Sequence, residues 1–232
     1  MQALTGISSM ATRHLLSALA QAHRLAGGPA THIESVGGVD AARRVLAGEP
    51  FDVVVLASDA IAQLAAAGRL RPGSVRAVAD SSVAVAVQAG AATPDISSEA
   101  ALRAAVLQAR TIGYSTGPSG TALLQLFERW GLLDTLRSRL VQARPGLPVG
   151  RLVADGEAEI GFQQLSELMD LAGITLLGGL PPGLDIVSRF DAAVLASAAQ
   201  PDAAQALLAF MTHPCNDALK QAHGMRAPPP AH

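Results

Sequence analysis

Along the chain, short apolar runs alternate with stretches in which apolar residues return every three to four positions. The runs predict strands over residues 3–7, 31–35, 52–56, 83–88, 111–114, 160–162, 175–177 and 192–196, each broken off by Gly, Pro or polar residues. Between them, Leu15, Leu16, Leu19 and Ala22 mark one helical face. Ala101, Leu102, Ala105 and Val106 mark a second, and Leu123, Leu126, Phe127 and Trp130 a third. Caps are expected at Ser8 or Ser9, at Ser98 with Glu99, and at Ser119 or Thr121. Strand-then-helix repetition predicts the α/β class, with mostly parallel sheets flanked by helices.

The order of these elements does not read as a simple tandem of two domains. Strand material at 81–88, after the Pro72-Gly73 turn, and again at 186–196, after the loop 178–183, predicts two crossover strands. One lobe is then expected from both chain ends, 1–80 plus 190–232, with 81–189 inserted as a second lobe. Two such lobes move as rigid bodies about the crossovers. Pro228-Pro229-Pro230 reads as an extended terminus.

Composition narrows the function classes. Half of the 232 residues are hydrophobic, which suffices for a buried core and excludes disorder. A net charge of -2 with scattered Arg leaves no basic stripe, and one Trp and one Tyr offer few stacking platforms, so no nucleic-acid partner is expected. Apolar runs fall far short of the roughly 20 residues that span a bilayer, so no membrane span is expected either. The single Cys215 excludes an internal disulfide and reads as a partly buried structural thiol in a turn before a helix. Six histidines without paired ligand spacing predict no metal site, and no cofactor is expected. The first residues lack a basic segment followed by an apolar one. The chain is therefore expected to be cytoplasmic, or periplasmic if a signal peptide has been removed.

In open α/β sheets ligands bind beyond the carboxyl ends of the strands, against helix N-termini. Four segments at such ends carry hydroxyls, amides or bare backbone: Ser8-Ser9, Gly37-Gly38, Ser115-Thr116 through Ser119-Gly120-Thr121, and Gln163-Gln164. Ser58 and Tyr114 join them as ligand-binding candidates. Singly, a Ser-Ser pair also reads as a helix cap and Gly-Gly as a backbone need. Together they read as a neutral nest for a small anion, in which Ser9, Gly37, Gly38, Ser115, Ser119 and Gln163 converge.

Gly48-Glu49-Pro50-Phe51-Asp52 before a strand resembles the Gly-x-Pro-x-Asp element of bacterial molybdate-binding solute receptors. Gly156-Glu157-Ala158-Glu159-Ile160-Gly161-Phe162 resembles that family's returning strand, and Ala209-Phe210-Met211-Thr212-His213-Pro214 its terminal helices. The resemblance spans nearly the whole chain. It implies a two-lobed, type 2 periplasmic-binding fold that holds a small anion or carboxylate in the interlobe cleft. It also implies a monomer working with an ABC permease. Gly37 and Gly38 stand where those receptors place a serine-rich loop, and Gln163 and Gln164 near a common tyrosine, so a polar organic acid suits the site as well as an oxyanion.

An enzyme on the same fold is the alternative, since aconitate isomerase resembles this family too. Its proton carrier would be His14, Glu167 or Tyr114, with Glu34 a further candidate. Gly113-Tyr114-Ser115-Thr116-Gly117 also matches the Gly-x-Ser-x-Gly nucleophile elbow, though Pro118 and Gly120 point to a longer loop than an elbow has.

Overall fold

A computed structural model of the chain describes residues 2–144 and 146–229, so Pro230 of the predicted tail and His232 lie outside the described residues. The first elements are β1 (Leu4–Ser9), α1 (Arg13–Leu25), β2 (Thr31–Val36), α2 (Gly38–Leu46), β3 (Val53–Ala57), α3 (Ser58–Ala66) and β4 (Arg76–Gln88). The middle of the chain forms α4 (Glu99–Gln108), β5 (Ile112–Tyr114), α5 (Pro118–Arg129), α6 (Leu133–Leu136), β6 (Leu140–Gln142), α7 (Val149–Ala154), β7 (Ile160–Gln164), α8 (Leu165–Leu168) and β8 (Ile174–Gly179). Then follow β9 (Val187–Val194), α9 (Pro201–Thr212), α10 (Asp217–Ala222) and β10 (Met225–Arg226). The chain divides into two compact units, Met1–Ser81 with Ser188–His232, and Ser82–Val187.

In the first unit β2, β1 and β3 run parallel in that order, and β9 lies antiparallel on β3. The period-two alternation of β3 explains its layers. Val53 and Val55 face α1 and α9, joining Leu15, Leu16, Leu19, Leu207, Leu208 and Met211 in one core. Val54 and Leu56 face the opposite way, against Ala41 and Val45 of α2 and Ile61 and Leu64 of α3. Gly6 permits the close approach of β1 to β3, because a Cβ there would lie 2.6 Å from a Val53 methyl. Asp52, of the Gly-x-Pro-x-Asp element, is buried and ties three segments together. Its carboxylate accepts the Thr5 N–H at 2.9 Å, the Thr5 hydroxyl at 3.2 Å and the Gln200 N–H, just before α9, at 3.0 Å.

The second unit is a sheet in which β4 lies between β8 and β7, antiparallel to both, and β7, β5 and β6 run parallel. Val83, Val85, Ile112, Ile160 and Phe162 pack against Leu102 and Val106 of α4 and Leu123, Leu126 and Phe127 of α5. On the other face Gly113 and Gly161, paired in register, leave room for α7. A Cβ on Gly113 would come within 2.9 Å of Val149, and one on Gly161 within 2.5 Å of Val153. Among the described residues no helix is long and apolar enough to cross a membrane.

Several local expectations need correction. β4 begins at Arg76, ahead of the strand material expected from 81, whereas β9 (Val187–Val194) falls within the 186–196 stretch expected as a strand and extends the shorter run at 192–196 backwards. Asp80, Ser81, Ser188, Arg189 and Asp191 interrupt the apolar pattern there, yet the strands continue through them because Asp80 and Arg189 pair across the two strands. β6 and β10, of three and two residues, are too short to show a period. Ser98 caps α4 as expected, accepting the Ala101 N–H at 3.2 Å. Ser119 and Thr121 do not cap: α5 starts at Pro118 with Gly117 as N-cap, since the fixed φ of proline suits the first helical position. Ser8 sits inside β1, and the Ser9 side chain makes no cap bond. Cys215 is exposed rather than partly buried, in the turn before α10.

Candidate functional site

In the first unit the three parallel strands end level with one another, since Ser8 is in register with Ser35 and Val55, and Ser9 with Val36. The chain leaving those ends turns into α1, α2 and α3. Ser8 is buried within the sheet, and its hydroxyl lies 2.8 Å from that of Ser35. Ser9 differs: it is 8% exposed, and its Oγ has no hydrogen-bond partner among the described residues. A buried hydroxyl in that state costs about 1–3 kcal/mol, which an arriving acceptor would recover.

Gly38 lies beside Ser9, where a Cβ would come 3.6 Å from the Ser9 Cβ, and a Cβ on Gly37 would meet nothing within 4 Å. Gly37 is the N-cap of α2 and supplies no side chain, so no side-chain hydrogen bond caps the first-turn N–H groups, and Asp40 is the acidic residue of that turn. At α3, by contrast, Asp59 accepts the Ala60 N–H at 2.9 Å. Ser58 faces the start of β9, with its hydroxyl 3.4 Å from the Arg189 carbonyl and hydrogen-bonded to Asp191. Arg189 grips buried Asp80 through two bonds, Nε to Oδ1 at 2.9 Å and Nη2 to Oδ2 at 3.1 Å, which raises the guanidinium further. Desolvation pushes the Asp191 carboxyl up, with the Ser58 bond and Arg189 opposing. Asp80, Arg189 and Asp191 are not among the sequence candidates. Their signal was charge inside otherwise apolar strands.

In the second unit Tyr114 ends β5 and packs against the core below it. The Ser115 and Ser119 hydroxyls lie 2.9 Å apart. Gly120 is required by close approach, because a Cβ there would sit 1.9 Å from the Ser115 carbonyl oxygen. Thr116 and Thr121 are exposed. The elbow reading of Ser115 finds other causes for its glycines: Gly113 admits α7 and Gly117 starts α5. Residues 82–187 contain no histidine to act as its base.

Gln163 and Gln164 are the last residues of β7 rather than a loop, and both are buried. Gln163 caps α7, its Oε1 accepting the Val149 N–H at 2.6 Å and the Gly150 N–H at 3.4 Å. Its Nε2 donates to Glu167 Oε2 at 2.7 Å. Glu167 is part-buried, and desolvation pushes its carboxyl up to about 7 against the lowering pull of the Gln163 bond. It is thus poised to hold or release a proton near neutral pH. His14 and Glu34 lie elsewhere in the first unit, exposed along α1 and β2. Bidentate bonds from Arg44, at 2.7 and 2.9 Å, hold the Glu34 carboxyl below its usual range.

Within the first unit the fold therefore gathers Ser8, Ser9, Gly37, Gly38 and Ser58 at one set of strand ends. Within the second it gathers Tyr114, Ser115, Thr116, Ser119, Gly120, Thr121, Gln163, Gln164 and Glu167 at the ends of β5 and β7. In the first unit the Ser9 hydroxyl and the backbone N–H groups at the start of α2 are neutral donors, which suits an anion, whereas in the second unit Gln163 is already engaged with α7 and Glu167.

Residues 4–226 match a family model described as bacterial extracellular solute-binding protein. An aconitate isomerase of Pseudomonas sp is 36% identical over 170 residues, covering 72% of this chain and 64% of that protein. The molybdate-binding protein of Azotobacter vinelandii is 32% identical over 111 residues, covering 47% of this chain and 44% of that protein. The chain thus spans less than two thirds of the length of these curated relatives. The solved structure of the Azotobacter vinelandii periplasmic molybdate-binding protein superposes with a TM-score of 0.80 at 24% identity, covering 97% of this chain and all of that one. That likeness shows the fold, the α/β type 2 periplasmic-binding fold.

Proposed function

This chain belongs to the bacterial extracellular solute-binding protein family, and we propose that it captures a small anion, either a molybdate-like oxyanion or a small carboxylate. The observation that carries this reading is the Ser9 hydroxyl, buried without a partner beside Gly38 and the uncapped start of α2. An acceptor placed there receives a hydroxyl donor and the helix-start N–H groups together. The same family description supports a place outside the cytoplasm, in the periplasm, and an ABC permease as the partner that receives the solute. A thermal-shift panel of molybdate, sulfate, citrate and the two aconitates tests it, since a ligand at 100 times its dissociation constant adds roughly 2.7 kcal/mol. A raised melting temperature with one class names the ligand class. No shift with any of them would sink the reading.

A second reading, isomerisation of a small polycarboxylate, draws on one specific observation. Glu167 holds a carboxyl with a pKa of about 7, bonded to Gln163 beside the starts of α7 and α8. The similarity to an aconitate isomerase supports the same reading. Following cis- and trans-aconitate by proton NMR separates the two. Turnover that Glu167→Gln lowers roughly 100-fold or more, with affinity retained, favours the enzyme. Binding without turnover favours the receptor.

A further inference from the structure

A groove of about 730 Å³ runs along the outer edge of the first unit, between α1 and β2. It is lined by Arg13, His14, Gln21, Arg24, His32 and Glu34, among others, and by none of the strand-end residues described above. Its charge is one-sided. The 13 residues of α1 contain no Asp or Glu, and among the described residues neither Arg13 nor Arg24 forms an ion pair. Glu34, the acidic residue of the groove, is already held by Arg44.

Arg13 moreover occupies the first turn of α1, where the positive helix end disfavours a cation, and no acidic residue stands there to offset it. Helix stability does not account for that placement. A counter-charge arriving from outside would offset it.

The geometry selects the form of that counter-charge. Arg13 and Arg24 are 11 positions apart on one helix, so about 16 Å separates them along its axis. A small anion cannot span that distance, whereas an extended chain does so with about five residues. The other wall of the groove is β2, the outermost strand of its sheet. Its pairing with β1 uses one edge, and the opposite edge turns backbone N–H and C=O groups outward. We propose that this edge groove docks an extended acidic segment of a protein partner, which adds as a strand to β2 and places carboxylates against Arg13 and Arg24.

The test is fluorescence anisotropy of the full chain with a short labelled peptide alternating valine and glutamate. Controls are the same peptide with lysine for glutamate and one with a central proline. We expect the acidic peptide to bind, the lysine peptide not to bind, and the proline peptide to be weakened, because proline removes a ladder donor. Arg13→Glu with Arg24→Gln should weaken the acidic peptide by about 10-fold or more, in line with the loss of two charge-assisted contacts. Arg13→Glu places an anion where the helix end favours one, so the fold is not at risk, and Arg24→Gln alone provides an independent variant. Binding should survive in Ser9→Ala. The proposal is overturned if the acidic peptide fails to bind, if the lysine or proline peptide binds as tightly, or if neither arginine variant changes the affinity. Loss of peptide binding in Ser9→Ala would mean that the peptide enters the solute site, and would also overturn it. So would a concentration-dependent dimer dissolved by Arg24→Gln, which would assign the groove to a second copy of the chain.

Discussion

Replacing Glu167 by Gln should remove a pH dependence of stability that the wild-type chain carries. Its carboxyl has a pKa of about 7 in the folded chain against an ordinary 4.5, because desolvation outweighs the bond from Gln163. The folded state therefore binds more protons than the unfolded chain between those two values, and stability from this group falls as pH rises through that window. At about 1.4 kcal/mol per pH unit, the gap corresponds to about 3 kcal/mol of stability present below pH 4.5 and lost above pH 7. The carboxamide of Glu167→Gln would stay neutral at every pH and could still accept from the Gln163 amide. Urea unfolding at intervals from pH 4.5 to 8.5 gives the comparison. The variant should match the wild type at the acid end and exceed it by about 3 kcal/mol at pH 8. Parallel stability curves for the two proteins would refute the claim that Glu167 is desolvated.

Three further outcomes follow from packing and burial. Gly120→Ala puts a Cβ at 1.9 Å from the Ser115 carbonyl and should cost about 1–3 kcal/mol by chemical denaturation, with the loop before α5 displaced in its NMR shifts. Asp52→Ala strips acceptors from Thr5 and Gln200 and should lower stability by about 3 kcal/mol in the same assay, whereas a loss below about 1 kcal/mol would contradict the account of Asp52 as a tie between β1 and α9. His23 is buried against Phe210, and desolvation lowers its pKa below 6.5, so the unfolded chain takes the proton first and stability should fall as pH drops below 6.5. His23→Phe should remove that acid-side loss in thermal melts between pH 7 and 5.

The fold class was legible because its signal is local. β3 carries an unbroken apolar run, and the leucines of α1 repeat with a helical period. Where the pattern breaks, the reason is a long-range pair. Arg189 and Asp80 are 109 residues apart, and their pairing lets β4 and β9 carry charged residues inside otherwise apolar strands. The site was legible to the same depth. Ser8 and Ser9 are identical in type and adjacent in sequence, and only the register of β1 with β2 decides that Ser8 bonds Ser35 while Ser9 has no partner among the described residues. Gln163 illustrates the converse. Its carboxamide looked free at a strand end, but the fold brings the start of α7 and Glu167 to it. No local pattern reports such partners.

The central claim, that the chain captures a small anion through Ser9, is tested most directly by calorimetric titration of the wild type and Ser9→Ala with molybdate and with cis-aconitate. The account predicts saturable binding of at least one of them to the wild type, and binding weaker by about 0.5–3 kcal/mol in Ser9→Ala, the range for one hydrogen bond from neutral to charge-assisted. Equal affinity in the two proteins, or no binding of either anion at millimolar concentration, would contradict it.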